Sequence, residues 1–124
     1  MSSIAGFNAD LKKFAKAVGL ETEVVVRKIA FEVLKGVVQK TPVDTGRAKA
    51  NWNLGFGQIN NRITENTTFR LITPPKGSGK RIIYITNHLP YINFLEQGSS
   101  KQAPQGMVDL TMLDIERSIR RVIR

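Results

Sequence analysis

Apolar residues recur at helical spacing through the first forty residues of the chain. One stripe has separations of three or four positions, which predicts an amphipathic helix formed around Phe7, Leu11, Phe14 and Val18. Gly19 is placed to end this helix, because glycine adopts the left-handed conformation of a helix C-terminus without strain. A second helix is predicted from about Glu21 to Gln39. Its apolar surface is wider than one contact with a sheet requires, so it is either a central core helix or also faces a neighbouring subunit.

The helical pattern stops at the segment Thr41-Pro42-Val43-Asp44-Thr45-Gly46-Arg47. The proline fixes its own φ angle and disfavours a helical conformation of the residue before it. The aspartate and threonine can bond nearby backbone N–H groups, and the glycine can adopt a positive φ. The segment therefore predicts a stiff corner that turns a helix into a strand. The residues expected to form this structural corner are Pro42, Asp44, Thr45, Gly46 and Trp52.

Alternating apolar and polar residues follow the corner. Residues 48–56 have apolar side chains at every second position, which predicts a strand with one buried face. Residues 62–73 are polar but β-prone, and residues 74–80 form a basic loop that is expected to be flexible and too polar to pack. Residues 81–87 carry apolar side chains on both faces, as in the central strand of a sheet.

The last third of the chain returns to helical patterns. Pro90 ends the preceding strand and is expected to begin a short helix over residues 91–96, followed by an open loop. A final helix is predicted from near Pro104 to the end of the chain. Its last turns carry four arginines, which suit the negative end of the helix dipole. No internal repeat is visible.

Composition restricts the class of protein. With 124 residues, 41% of them hydrophobic and 23% charged, the chain is expected to form one globular domain over residues 1–124, with a helical part (1–40), a sheet part (41–87) and a C-terminal part (88–124). No apolar run approaches the roughly 20 residues that cross a bilayer. The first residues do not have the pattern of a signal peptide. The absence of cysteine excludes disulfides and fits a reducing cytosol.

The net charge of +9 is large for this length, and it is spread along the chain rather than concentrated in one block. Spread charge favours contact with an acidic partner over a dedicated nucleic-acid groove. Basic side chains close to Phe69 and Tyr84 could nevertheless form a nucleic-acid surface, although solvated strand and loop positions explain them more simply. The cations that could face a neighbouring subunit or DNA are Arg62, Arg70, Lys76, Lys80, Arg81, Arg117 and Arg121.

Candidate catalytic chemistry is sparse. The run Lys76-Gly77-Ser78-Gly79-Lys80 lacks the first glycine and the final Ser or Thr of a phosphate-binding loop. His88 is the only histidine, and no nucleophile motif or metal-ligand spacing accompanies it. A single histidine at a strand end is expected to be a turn residue. We therefore expect no catalytic residue, no metal site and no cofactor.

The corner and a later element together resemble a family of tailed-bacteriophage structural proteins, the head–tail joining proteins, also called neck, tail-completion or minor tail component proteins. The similarity includes a helix before the corner, Trp52 in the following strand, and a C-terminal helix. It also includes a bracing element with the family's N-x-x-P-Y and E-x-G-S patterns, represented here by Asn87, Pro90, Tyr91, Glu96 and Gly98. Residues 57–80 are longer than the family's usual hairpin.

The resemblance implies an α+β fold, with N-terminal helices and a C-terminal helix packed on an antiparallel sheet of about three to five strands and a long loop or hairpin. It also implies a homo-oligomeric ring, with sixfold symmetry, between the head connector and the tail. Its partners would be other neck, connector or tail proteins, with non-specific contact to packaged DNA and none to a membrane. The protein would be assembled in the host cytoplasm and located in the virion. The alternative is a small basic nucleic-acid-binding protein.

Overall fold

A computed structural model describes residues 4–42, 46–90, 92 and 106–123. Three helices and a two-stranded sheet precede a long C-terminal helix, and a 3₁₀ turn lies between the two strands. The elements are α1 (Ile4–Val18), α2 (Thr22–Lys40), α3 (Arg47–Ala50), β1 (Trp52–Phe56), the 3₁₀ turn (Ser78–Lys80), β2 (Ile83–Asn87) and α4 (Met107–Ile123). The bounds of α1 and α2 confirm the helices expected from the apolar periodicity, and Gly19 has the positive φ of 73° predicted for the end of α1.

The sheet is smaller than the sequence predicted. β1 and β2 pair antiparallel, with Trp52 opposite Asn87 and Phe56 opposite Ile83. The part of the chain that the structure describes contains these two strands only, not the three to five that were expected. β2 begins at Ile83 rather than at residue 81, and within the described residues it has β1 as its one partner, so its prediction as a central strand was wrong.

Residues 58–73, which we call the arm, contain no strand despite their β-prone composition. The arm lies against β1, but the side chains of two asparagines hold its backbone. Asn51 Nδ2 donates to Thr64 O over 2.9 Å, and Thr64 N donates back to Asn51 Oδ1 over 2.7 Å. Asn53 Nδ2 donates to Arg62 O over 2.7 Å. Because these amides satisfy backbone groups that a β-ladder would use, the segment remains irregular.

The segment after the corner also differs from the prediction. Residues 47–50 form the helical turn α3, so the strand begins at Trp52 instead of at residue 48. Ala48 and Ala50 are both buried, as the alternating pattern required. Alanine has the highest helix propensity, so this short stretch adopts a helical turn while keeping both methyl groups inside.

The glycine-rich loop before β2 is packed, contrary to the expectation of a flexible tip. Pro74 and Ser78 are buried, and Gly79 N donates to Glu23 Oε1 at the start of α2 over 3.3 Å. A Cβ atom at Gly79 would overlap the backbone carbonyl of Glu23. Glycine here permits two backbones to approach closely, and the polarity of the loop does not prevent this contact.

Two apolar clusters form the core. The first joins α2, α3, β1 and the start of α4, through Leu34, Val37, Ala48, Trp52, Leu89, Ile92 and Met107. The second joins α1, the start of α2 and the later part of α4, through Leu11, Ala15, Val25 and Ile119. Helices α2 and α4 therefore contribute to both clusters, which explains why the apolar surface of α2 is so wide.

α2 and α4 approach each other most closely at a glycine. A Cβ atom at Gly36 would lie 2.6 Å from Thr111 Cγ2, so the hydrogen at this position allows the two helices to meet. Thr111 is buried at this contact. An ion pair between Lys40 Nζ and Asp114 Oδ2, 3.1 Å apart, lies at the edge of the same contact.

Candidate functional site

The end of α2 and the start of β1 are joined by a threonine hydroxyl. Thr41 Oγ1 donates to Val37 O in the last turn of α2, and Trp52 Nε1 donates to Thr41 Oγ1 over 2.8 Å. Thr41 and Trp52 are 2% and 5% exposed, so both hydrogen bonds lie in the interior. The sequence indicated that Thr41 would be extended, and it is, with φ −74° and ψ 132°. Its role as the acceptor for Trp52 was not predicted.

Gly46 has the positive φ that the sequence allowed, at 75°. A Cβ atom at this position would overlap Thr67 O in the arm, so the glycine is needed both for its conformation and for the approach of the arm. Pro42 is buried directly after the end of α2. Asp44 and Thr45, the other predicted corner residues, lie outside the described residues.

Asn87 connects the end of β2 to the segment that follows the corner. Its Nδ2 donates to Ala48 O over 2.9 Å, and its Oδ1 accepts from Leu89 N over 3.2 Å. Leu89 belongs to the same apolar cluster as Trp52. Pro90 is exposed. Tyr91, Glu96 and Gly98, the rest of the predicted bracing element, lie outside the described residues, as does most of the predicted helix over 91–96.

The predicted cations occupy different environments. Arg62 bonds within the molecule: its Nε donates to Asn53 Oδ1 over 3.1 Å and its Nη2 donates to Ala50 O over 3.3 Å. The other six are in exposed or half-exposed positions on two separate elements. Arg70, Lys76, Lys80 and Arg81 follow the arm and the 3₁₀ turn, whereas Arg117 and Arg121 are one turn apart on α4. The structure therefore does not bring all seven cations onto one element.

The arm encloses space against the core. A hollow of about 270 Å³ lies between β1 and the arm, and its apolar lining includes Leu34, Leu54 and Phe69. Phe69 packs against the first core cluster. Arg47 Nη2 lies 2.9 Å from Glu65 Oε1, which joins α3 to the middle of the arm. The arm is thus fixed at several points along its length while much of its outer side faces solvent.

Residues with catalytic potential are not assembled into a site by the described part of the chain. His88 is half-buried at the end of β2, and its Nε2 lies 3.0 Å from Thr86 Oγ1, which is the turn position expected for it. Among the described residues, no three His, Cys, Asp or Glu side chains are grouped as metal ligands. A search of those residues also finds no helix with the length and apolar character to span a membrane.

Comparison with protein families gives a match over most of this framework. The family is described as "Bacteriophage HK97-gp10, putative tail-component", and it matches residues 5–98, from the start of α1 to a point beyond β2. This chain belongs to the HK97-gp10-like family. Neither the curated proteins nor the solved structures contain a significant match to it. The resemblance to phage tail proteins seen in the corner is thereby confirmed at the level of the family.

The family match of this HK97-gp10-like chain starts earlier and ends earlier than the motif resemblance. It includes all of α1, whereas the motifs began near residue 24, and it omits α4. Asn51 and Asn53 are the residues that sequence reasoning missed. Their position at alternate residues beside a long polar segment was the available signal, but they were interpreted as ordinary solvent-facing positions of a strand.

Proposed function

We propose that this protein is a structural component of the bacteriophage virion that forms a ring at the neck or at the end of the tail and joins the head connector to the tail. Membership of the HK97-gp10-like family, over 94 of 124 residues, is the observation that carries the proposal. Its partners would be further copies of itself, with sixfold symmetry, and the neighbouring neck, connector or tail proteins. Assembly would take place in the host cytoplasm.

The geometry fits a role in assembly. The corner, the start of β1 and the end of β2 are joined by buried or half-buried hydrogen bonds of Thr41, Trp52 and Asn87. A rigid frame of this kind holds the arm in a defined position, and the arm presents both cationic and apolar side chains. Surfaces that mix apolar and basic residues are typical of protein interfaces, in which arginine is enriched.

Contact with packaged DNA is a secondary part of the proposal. Arg117 and Arg121 on α4 and the four exposed cations after Arg62 could approach phosphates, while Arg62 is engaged by Asn53. Phosphate contacts release counterions, so such binding would weaken steeply as salt is raised. If the chain were instead a dedicated nucleic-acid-binding protein, tight salt-dependent DNA binding would be its main activity, and it would form no ring.

The assembly state of the purified protein tests the proposal. We expect a discrete closed oligomer by native mass spectrometry, visible as a ring by negative-stain electron microscopy, either alone or after addition of tails that lack this component. A phage carrying a nonsense mutation in its gene should accumulate separate heads and tails, and the purified protein should restore joining in the lysate. A protein that stays monomeric with such tails and does not restore joining would refute the proposal.

A further inference from the structure

Large apolar side chains that face solvent are concentrated in one part of the described chain. Ten such side chains are between 38% and 66% exposed. Four of them lie in the arm and a fifth lies just before β2, namely Ile59, Ile63, Leu71, Ile72 and Ile82. Scattered single apolar residues are ordinary on a protein surface, but a grouping on one segment indicates a contact surface.

The charge around these side chains is almost entirely positive. Residues 58–82 contain five cations and one carboxylate. That carboxylate, Glu65, lies 2.9 Å from Arg47 and so is already paired. A partner for this surface must therefore offer apolar side chains surrounded by negative charge, because like charges would oppose the contact.

The first half of α4 has the complementary character. Residues 106–116 contain three carboxylates and no cation. Within this stretch Val108 and Leu113 are 38% and 40% exposed, and the carboxylates of Asp109 and Asp114 are on exposed residues. A hollow of about 300 Å³ lies directly beside Val108, and its other walls include Ile85 and His88 at the end of β2.

The two surfaces occupy different sides of the frame. The arm borders β1, where it is bonded to Asn51, Asn53 and Leu54. The first turn of α4 instead borders the end of β2. Because the surfaces have no residue in common, one copy can contact two others at once, and such head-to-tail contacts generate rings when the rotation closes.

We propose that the arm of one copy packs against the α4 surface of the next copy, where the arm surface is Ile59, Ile63, Arg70 and Ile72, and the α4 surface is Val108, Asp109, Leu113 and Asp114. Apolar arm side chains would cover Val108, Leu113 and the hollow beside them, and the surrounding charges would fix the orientation. This inference rests on the proposed ring, and it names the two surfaces that would build it.

Site-specific cross-linking tests the arrangement, and the absence of native cysteine makes the method clean. Three variants are compared: Ile63→Cys, Leu113→Cys, and a chain carrying both changes. A short bismaleimide should join copies of the double variant into a ladder that ends at the ring, whereas each single variant should stay uncross-linked. The matched control replaces Leu113→Cys in the double variant by Val18→Cys, which is equally exposed at 41% but lies at the end of α1.

Each result has a distinct meaning. A ladder from the double variant alone supports the head-to-tail contact. Dimers from either single variant would show that like surfaces meet, and would overturn the inference. Rings without a ladder, or a ladder with the Val18→Cys control, would overturn the choice of surfaces and leave the proposed ring intact. A wild-type protein that forms no ring and does not restore joining would refute the proposed function itself.

Mixing two interface variants supplies an independent test. Ile63→Asp and Leu113→Arg should each raise the concentration needed for half-assembly by about 10-fold or more, the effect of losing a well-packed interface residue. Mixed together, each chain retains one intact surface, so the mixture should give one-to-one heterodimers by native mass spectrometry and no ring. Val18→Asp is the control and should assemble normally. Normal rings from either interface variant, or monomers alone from the mixture, would contradict the inference.

Discussion

The hydroxyl of Thr41 is the connection between α2 and β1 whose removal can be measured most directly. Thr41→Val keeps the shape of the side chain but removes both hydrogen bonds of Oγ1, to Val37 O and from Trp52 Nε1. Trp52 is 5% exposed, so its N–H would be left without a partner and largely without water. A buried donor left unsatisfied costs about 1–3 kcal/mol. We expect Thr41→Val to lower the free energy of unfolding by about 2 kcal/mol, within that range.

The control for this change is Thr41→Ser, which keeps the hydroxyl and loses one methyl group. Its cost should be about 0.8 kcal/mol, the value of one buried CH₂. The difference between the two variants therefore isolates the hydrogen bonds. For a chain of this length, a loss of about 2 kcal/mol corresponds to a fall in Tm of roughly 6–10 °C.

Trp52 provides the assay, because it is the only tryptophan in the chain. Urea unfolding followed by its fluorescence reports on the site itself, and the midpoint should fall while the slope m stays constant. Thr41→Val should cost less in a Trp52→Phe background, measured by circular dichroism, because the donor is then absent. If Thr41→Val is as stable as Thr41→Ser, the hydroxyl does not hold the corner and this reasoning is wrong.

Three further changes test other contacts by urea unfolding or proteolysis. Gly36→Ala should destabilise the protein by about 1–3 kcal/mol through overlap with Thr111, and this cost should disappear in a Thr111→Ala background; additive effects would refute the close contact. Asn51→Ala should speed tryptic cleavage within the arm, because it frees the backbone that the amide holds, and an unchanged cleavage rate would count against that role. Gly46→Ala should cost more than Gly19→Ala, since both have positive φ but only Gly46 adjoins a carbonyl; the backbone term alone is about 1–2 kcal/mol, and equal costs would contradict the contact.

The helices could be predicted from the sequence because their signals are local. The apolar spacing of α1 and α2 and the glycine between them define each helix within a few neighbouring residues. The corner was equally accessible, since proline and glycine restrict φ wherever they occur. These features depend on chain neighbours, so a sequence pattern contains the information needed.

The sheet and the arm could not be predicted in the same way. Residues 62–73 have strand-like composition, but Asn51 and Asn53 occupy their backbone groups from a distant part of the chain. The loop at Gly79 was expected to be flexible because it is polar, yet it packs because it has no side chain. Both outcomes depend on which segments meet in space, and local propensity does not determine this.

The candidate site was predicted in part for the same reason. Trp52 was expected at the start of the strand, and Gly46 at the corner, but the hydroxyl that connects α2 to Trp52 was not. Arg62 was expected to face a partner, whereas its guanidinium bonds to Asn53 and Ala50 within the molecule. Cations on exposed loops look alike in a sequence until their neighbours are known.

The way the arm is attached has a consequence for how members of the family could diversify. A strand must keep its register, because a shift of one residue turns every side chain to the opposite face. The arm is held instead at a few backbone positions by Asn51 and Asn53, so the residues between and beyond these positions are free of that constraint. Loops of different length or sequence could be exchanged here while the frame folds unchanged. Partner preference could then evolve, or be engineered, separately from stability.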